Sequence, residues 1–180
     1  KVHFLGGHST RLEGLFPGSE NARELLAPLL QEVINSDRIQ VLTGSQVSDV
    51  RGYFGNFQVE VRSRSRGLKG PLDDEKLARI TAACPQSTAS EFDYGLKQRK
   101  AIFRPYPECV PNLPAIDLAL CNRCGKCEEI LGSQAVEFGE EERVTTLDAG
   151  CIVMATGFEP YEPYRGELGY GELEGVVTLA

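Results

Sequence analysis

Cys121-Asn122-Arg123-Cys124-Gly125-Lys126-Cys127 gathers three of the chain's six cysteines into seven residues. That crowding suits ligation of a metal or a cluster better than disulfide bridging, and it implies a reducing compartment, for which the cytoplasm is the default. The other thiols are Cys84, Cys109 and Cys151. A chain of 180 residues can build a core without disulfides.

The triplet matches the first three positions of C-x-x-C-x-x-C-x-x-x-C-P. Bacterial-type ferredoxins use this run twice, and the fourth cysteine of each run ligates the cluster held by the other. Its own fourth position is Leu131, so the run alone is incomplete. Working back from Cys84-Pro85 as the end of an earlier run, the first three positions fall on Asp74, Leu77 and Ile80. The two losses are complementary. Crossed ligation leaves Cys84, Cys121, Cys124 and Cys127 as one complete four-thiolate set, which predicts a single 4Fe–4S cluster. A short helix carrying Leu77 and Ile80 as core residues is expected to refill the absent second site. Thiolates are soft ligands suited to iron–sulfur clusters, and amides in the tight loop around Gly125 can hydrogen-bond the sulfurs. Two other readings compete. One is zinc, because Cys121-Asn-Arg-Cys124-Gly has the form of a zinc knuckle, although three ligands in seven residues are cramped for a metal that usually takes two separated pairs. The other is an empty, vestigial set. Cys109 and Cys151 lack partners at ligand spacing, and for both a buried free thiol is expected.

Upstream of the cysteines, the basic, turn-rich residues 62–71 mark the best boundary in the chain. A short helix is expected from Asp73 or Asp74 to Ala83, ended by Cys84-Pro85. Before the boundary, Val47 and Val50 lead into Gly52-Tyr-Phe-Gly55-Asn56, and Phe57, Val59 and Val61 alternate with polar residues, a hairpin signature. Residues 39–42 read as a short buried strand ending at Gly44. Residues 21–36 carry apolar side chains at helical spacing, with Asn21 and Glu24 as a capping pair. Pro28 either kinks that helix or sits in its first turn. Phe4-Leu5-Gly6-Gly7-His8 is an apolar entry into a double glycine, where backbone can turn sharply or lie close to a ligand.

Downstream, residues 85–114 read as irregular. A helical turn at 128–131, a strand at 135–138, a solvated turn at Glu140-Glu141-Glu142, and strands at 144–147 and 151–154 follow. The last strand runs into Ala155-Thr156-Gly157. Gly169-Tyr-Gly171-Glu-Leu-Glu-Gly175 lacks the flanking strand and helix of a dinucleotide loop and reads as surface. Lys97, Arg99, Lys100 and Arg104 read as a solvated basic face, and His8 as an ordinary surface or packed histidine. No arrangement supports triad chemistry.

Composition excludes several classes. With 19 Lys plus Arg against 26 Asp plus Glu, the net charge is −7, which argues against a general nucleic-acid surface. No apolar stretch approaches the length of a membrane span, so no direct membrane insertion is expected. The chain opens on Lys1, without a signal-peptide pattern, and reads as a piece of something longer.

The order of these motifs resembles the A subunit of heterodisulfide reductase and its relatives in anaerobic electron-transfer complexes. The matching residues are Leu5-Gly6-Gly7-His8, Phe16-Pro17, Gly52-Tyr-Phe-Gly55-Asn56-Phe57, Glu91-Phe92-Asp93-Tyr94-Gly95-Leu96, Arg99-Lys100-Ala101-Ile102, Cys121 to Cys127, and Ala155-Thr156-Gly157-Phe158. The resemblance implies a mixed α+β / α/β fold: a partial thioredoxin-reductase-like FAD domain (residues 1–66 and 140–180) with a ferredoxin-like unit (residues 67–139) inserted in its β-meander. It also implies FAD contact by Gly6 and Gly7, by Val47 through its backbone, and by Thr156 and Gly157 on the flavin side. The Gly-rich phosphate loop and the ribose-binding acid that such domains carry would precede Lys1, so FAD is expected only with that part of the domain. Relatives often carry a cysteine between Phe16 and the next helix, where this chain has Gly18-Ser19-Glu20. The implied role is electron relay between FAD and other redox subunits through one 4Fe–4S cluster. The segment would be part of an oxidoreductase complex and not catalytic alone. The alternative from another class is a cofactor-free or zinc-stabilised structural or interaction domain.

Overall fold

A computed structural model describes residues 2–12, 14, 17, 18, 20–139 and 142–178. The expected turn at Glu140 and Glu141, and Phe16 of the matching motifs, lie outside the described residues. The fold is α+β. A 3₁₀ turn, Gly7–Arg11, precedes helix α1, Ala22–Asn35, whose N-cap Asn21 accepts a hydrogen bond from the Arg23 amide at 2.9 Å. Because that cap works at residue 21, Pro28 lies inside the helix rather than opening it. Residues 39–42 form no strand, and Ile39 and Leu42 are exposed. A short apolar run becomes a strand only where a neighbouring backbone completes its ladder, and none among the described residues does so here.

Strands β1 (Ser45–Tyr53) and β2 (Asn56–Ser63) form the expected antiparallel hairpin, paired from Ser45↔Ser63 to Tyr53↔Asn56 with a register shift between Val47 and Asp49. Gly52 holds φ of +101°, and a Cβ there would lie 2.1 Å from the Asn56 carbonyl oxygen, so the turn requires glycine. Val59 and Val61 form the buried face of β2.

The chain then leaves this sheet. Helix α2 (Asp74–Ala83) follows, with the short strands β3 (Ser87–Ala89), β4 (Gln98–Lys100), β5 (Ile102–Phe103) and β6 (Ala115–Ile116), then helix α3 (Lys126–Leu131) and a 3₁₀ turn, Ser133–Ala135. β3 pairs with β4, and β5 with β6, each antiparallel. The stretch read as irregular therefore holds two small ribbons. The strand expected at residues 135–138 is the end of the 3₁₀ turn and a single bridge, Val136↔Leu68. That bridge, with the Glu137 amide on Gly67 O at 2.9 Å and the Lys69 amide on Ala135 O at 2.9 Å, ties the two ends of the unit together. Strand β7 (Arg143–Ala149) returns beside β2, Ser63 facing Arg143, and completes the sheet order β1-β2-β7.

The main core cluster lies inside this excursion. Leu68, Leu77, Ile80, Cys84, Ala101, Ile102, Ile116 and Val136 pack together, with Ile80 wholly buried. α2 starts at the cap Asp73, which accepts the Lys76 amide at 2.7 Å, and its inward Leu77 and Ile80 are core residues as expected. Arg66 links the unit to the N-terminal segment. Its guanidinium donates to Leu113 O, His3 O and Thr43 Oγ1, at 2.9, 2.6 and 3.2 Å.

Beyond β7 the expected strand at 151–154 does not form: these residues pair with no strand among the described residues. Cys151, Val153 and Met154 are exposed, so Cys151 is not the buried thiol that its apolar setting predicts. Alternation or apolar content can propose a strand, but burial needs a surface to pack on.

Candidate metal centre and adjoining cleft

Cys84 occupies the C-cap of α2, where its amide bonds to Ile80 O at 3.0 Å, and its thiol donates to Gln86 O at 3.7 Å. Cys121 and Cys124 lie in the loop before α3, and Cys127 is on its first turn, after the left-handed N-cap Gly125 (φ +78°). Cys121 and Cys127 are half-buried against the same apolar cluster that holds Cys84, because α2 packs on α3. Arg123, at a positive φ of +54°, donates its amide to Cys121 Sγ at 3.4 Å.

Burial first, and then negative charge on Cys84, Cys121, Cys124 and Glu128 in that order, together push the Cys127 thiol up to about 11. The distant cysteine thus packs in the same cluster as two members of the triplet. Among the described residues, no group of three or more Cys, His, Asp or Glu side chains is set to hold a single metal ion. Cys109 is wholly buried, as expected of a structural thiol; burial also pushes it up to about 11, and its thiol donates to Pro111 O at 3.8 Å.

A cleft of about 910 Å³ opens beside this region. Gly7, His8, Tyr94 and Phe158 are among the residues that line it. The His8 ring lies edge-on to Phe158 at 5.2 Å, and its Nε2 is 3.3 Å from the Tyr94 hydroxyl. Gly6 and Gly7 are both left-handed. A Cβ on Gly6 would lie 2.3 Å from Thr10 Cγ2, whereas a Cβ on Gly7 would meet open space. Gly7 therefore faces the cleft, while Gly6 is needed for local packing. Gly6, Val47, Thr156 and Gly157 are not among the lining residues; Val47 is exposed on β1 opposite Val61, and Gly157 precedes Phe158 in exposed chain.

The basic stretch is not uniformly solvated. The Arg99 side chain is 11% exposed. It donates from Nε and Nη2 to the Glu91 carboxylate, both at 2.6 Å, and from Nη2 to Asp117 Oδ2 at 2.8 Å. Its guanidinium carbon lies 4.1 Å from the centre of the Phe103 ring. These hydrogen bonds, Glu91 foremost, raise the Arg99 pKa and hold the Glu91 carboxyl below its ordinary range. Arg104 likewise pairs with Asp74 and Asn112. No sequence signal joins Arg99 to Asp117, because their contact depends on how the two small ribbons stack.

No family model matches the chain. It is 32% identical over 179 residues, 97% of its own length, to the iron–sulfur A subunit of the CoB–CoM heterodisulfide reductase of Methanocaldococcus jannaschii. It is 34% identical over 180 residues to an iron–sulfur A subunit (numbered 1) of the CoB–CoM heterodisulfide reductase of Methanopyrus kandleri. It is 31% identical over 179 residues to the A subunit of the H(2):CoB-CoM heterodisulfide,ferredoxin reductase of Methanothermobacter marburgensis. In each case the match covers 26% of the relative, so the chain spans about a quarter of the length of the curated relatives it matches. It is homologous to a segment of heterodisulfide reductase A subunits.

Proposed function

We propose that this chain is an electron-transfer segment of a heterodisulfide reductase A-like subunit, passing electrons between FAD and partner redox subunits through one 4Fe–4S cluster held by Cys84, Cys121, Cys124 and Cys127. The observation that carries this reading is the packing of Cys121 and Cys127 against the cluster that holds Cys84, where α2 meets α3. Thiolates gathered at one place repel one another, and a cationic iron core would remove that repulsion. The donor set therefore fits the group. A 4Fe–4S cluster supplies one-electron transfer, while the chain's own residues hold it, give its sulfurs amide donors such as that of Arg123, and shield one side with Leu77, Ile80 and Ile130. Two of the relatives are themselves named iron–sulfur subunits.

The excursion from β2 and its return at β7 support a reading as a ferredoxin-like unit, residues 67–139, inserted in a partial FAD domain. Within that domain, Gly6, Gly7, Val47, Thr156 and Gly157 are the proposed FAD contacts. The open face of Gly7 and the aromatic wall of the cleft support the flavin end. FAD binding is proposed only together with a Gly-rich phosphate loop upstream of Lys1. Among the described residues no helix is long and apolar enough to cross a membrane. A reducing cytoplasm is the proposed setting, as free thiol ligands require.

The test is anaerobic purification followed by iron, sulfide and visible absorption measurements. Wild type is expected to carry four irons and four sulfides and to be brown. Cys84→Ser is expected to lose the four-iron centre, whereas Cys109→Ser keeps it. A colourless protein with stoichiometric zinc, or equal iron in both variants and wild type, refutes the assignment.

A further inference from the structure

Asp117 stands where the chain turns into the cysteine loop. Its Oδ1 accepts the amides of Ala119 and Leu120, each at 3.2 Å, and its carbonyl accepts those of Leu120 at 3.2 Å and Cys121 at 2.9 Å. One residue thus satisfies the amides of the turn up to the first thiol of the triplet. Its other carboxylate oxygen is tied to Arg99, which is itself gripped by Glu91 and stacked on Phe103. The Asp117 amide in turn donates to Ala101 O at 2.7 Å, and Ala101 belongs to the core. The turn is therefore anchored on both its backbone and its side chain.

We propose that Asp117 and Arg99 are positioning residues for the iron–sulfur site: Asp117 sets the turn that presents Cys121, and Arg99 locks Asp117 and balances its charge. This inference rests on the four-cysteine cluster reading. Arg99 and Asp117 are oppositely charged, and little water reaches Arg99, so their charges act on the site with little screening. Removing the Arg99 cation leaves the Glu91 and Asp117 carboxylates without their shared partner, removing the Asp117 anion leaves Arg99 paired with Glu91 alone, and reduction adds an electron nearby. Loss of the Arg99 cation therefore disfavours reduction, and loss of the Asp117 anion favours it.

The experiment is an EPR-monitored redox titration of the anaerobically prepared protein, with iron content measured in parallel. Asp117→Asn keeps an oxygen acceptor for the Ala119 and Leu120 amides, so iron is retained and the potential rises. Arg99→Gln retains iron and the potential falls. Arg99→Lys, which keeps the charge, moves the potential less than Arg99→Gln. Asp117→Ala, which removes the acceptor, loses iron to a chelator several-fold faster than wild type. Equal potentials in all iron-retaining variants, or shifts of the same sign for Asp117→Asn and Arg99→Gln, overturn the proposal while leaving the cluster in place. A wild-type protein without iron overturns the cluster reading, and this inference with it.

Discussion

Helices α1 and α2 carry similar amphipathic patterns and similar polar caps, yet their apolar faces end differently. α2 turns Leu77 and Ile80 into a core shared with β5, β6 and the cysteine loop. α1 leaves Leu25, Leu29 and Ile34 exposed, and its one buried residue is Ala22. The same contrast separates the excursion between β2 and β7, where the main core cluster lies, from the chain after β7, where Val153 is 84% and Met154 78% exposed. Amphipathic pattern prepares a face for burial. Whether the face is buried depends on what the rest of the fold brings against it.

The comparison is sharpened most by Ile80→Ala. Ile80 is fully buried, so the substitution is expected to cost about 2–5 kcal/mol in urea unfolding. A loss below about 1 kcal/mol would mean that the excursion's core is not the packed unit described. The cap of α2 offers a smaller, pH-dependent test. The Lys76 amide and side chain hold the Asp73 carboxyl below its ordinary value of 3.8. Its contribution is thus fully present above that value and is lost as pH falls through the depressed folded pKa. Asp73→Asn should remove this part of the acid transition seen by far-UV circular dichroism, whereas α1, capped by the uncharged Asn21, should show no equivalent change on Asn21→Ser. An unaltered acid transition in Asp73→Asn would contradict the cap assignment. The smallest effect is expected at the exposed end of the comparison: Val153→Ser should change stability by no more than about 0.5 kcal/mol. A loss comparable with that of Ile80→Ala would show that residues 151–154 are covered in solution.

The features legible in the sequence are those set by near neighbours along the chain. The hairpin is readable because Gly52 and Gly55 permit a turn that other residues resist, and α2 because a cap, an i,i+3 apolar pair and Cys84-Pro85 bound it locally. The proposed cysteine set comes from the sequence because the ligation rule is itself a spacing rule. Residues 39–42 and 151–154 mislead because an apolar run states a preference for burial without supplying the neighbouring strand. Arg99 misleads for a related reason. A basic side chain looks solvated until its carboxylate partners are located, and here one of them, Asp117, is 18 residues away.

The amino-acid sequence alone determined the cysteine spacing, the local turns and caps, and the point at which the chain leaves its first sheet, since each depends on a few adjacent residues and short-range sterics. Only the tertiary structure decided that Cys84 shares an apolar cluster with Cys121 and Cys127, that Asp117 holds its turn under Arg99, and that α2 rather than α1 carries core residues. Those outcomes depend on packing and charge between segments far apart in the chain, and such forces act only once the fold has brought the segments together.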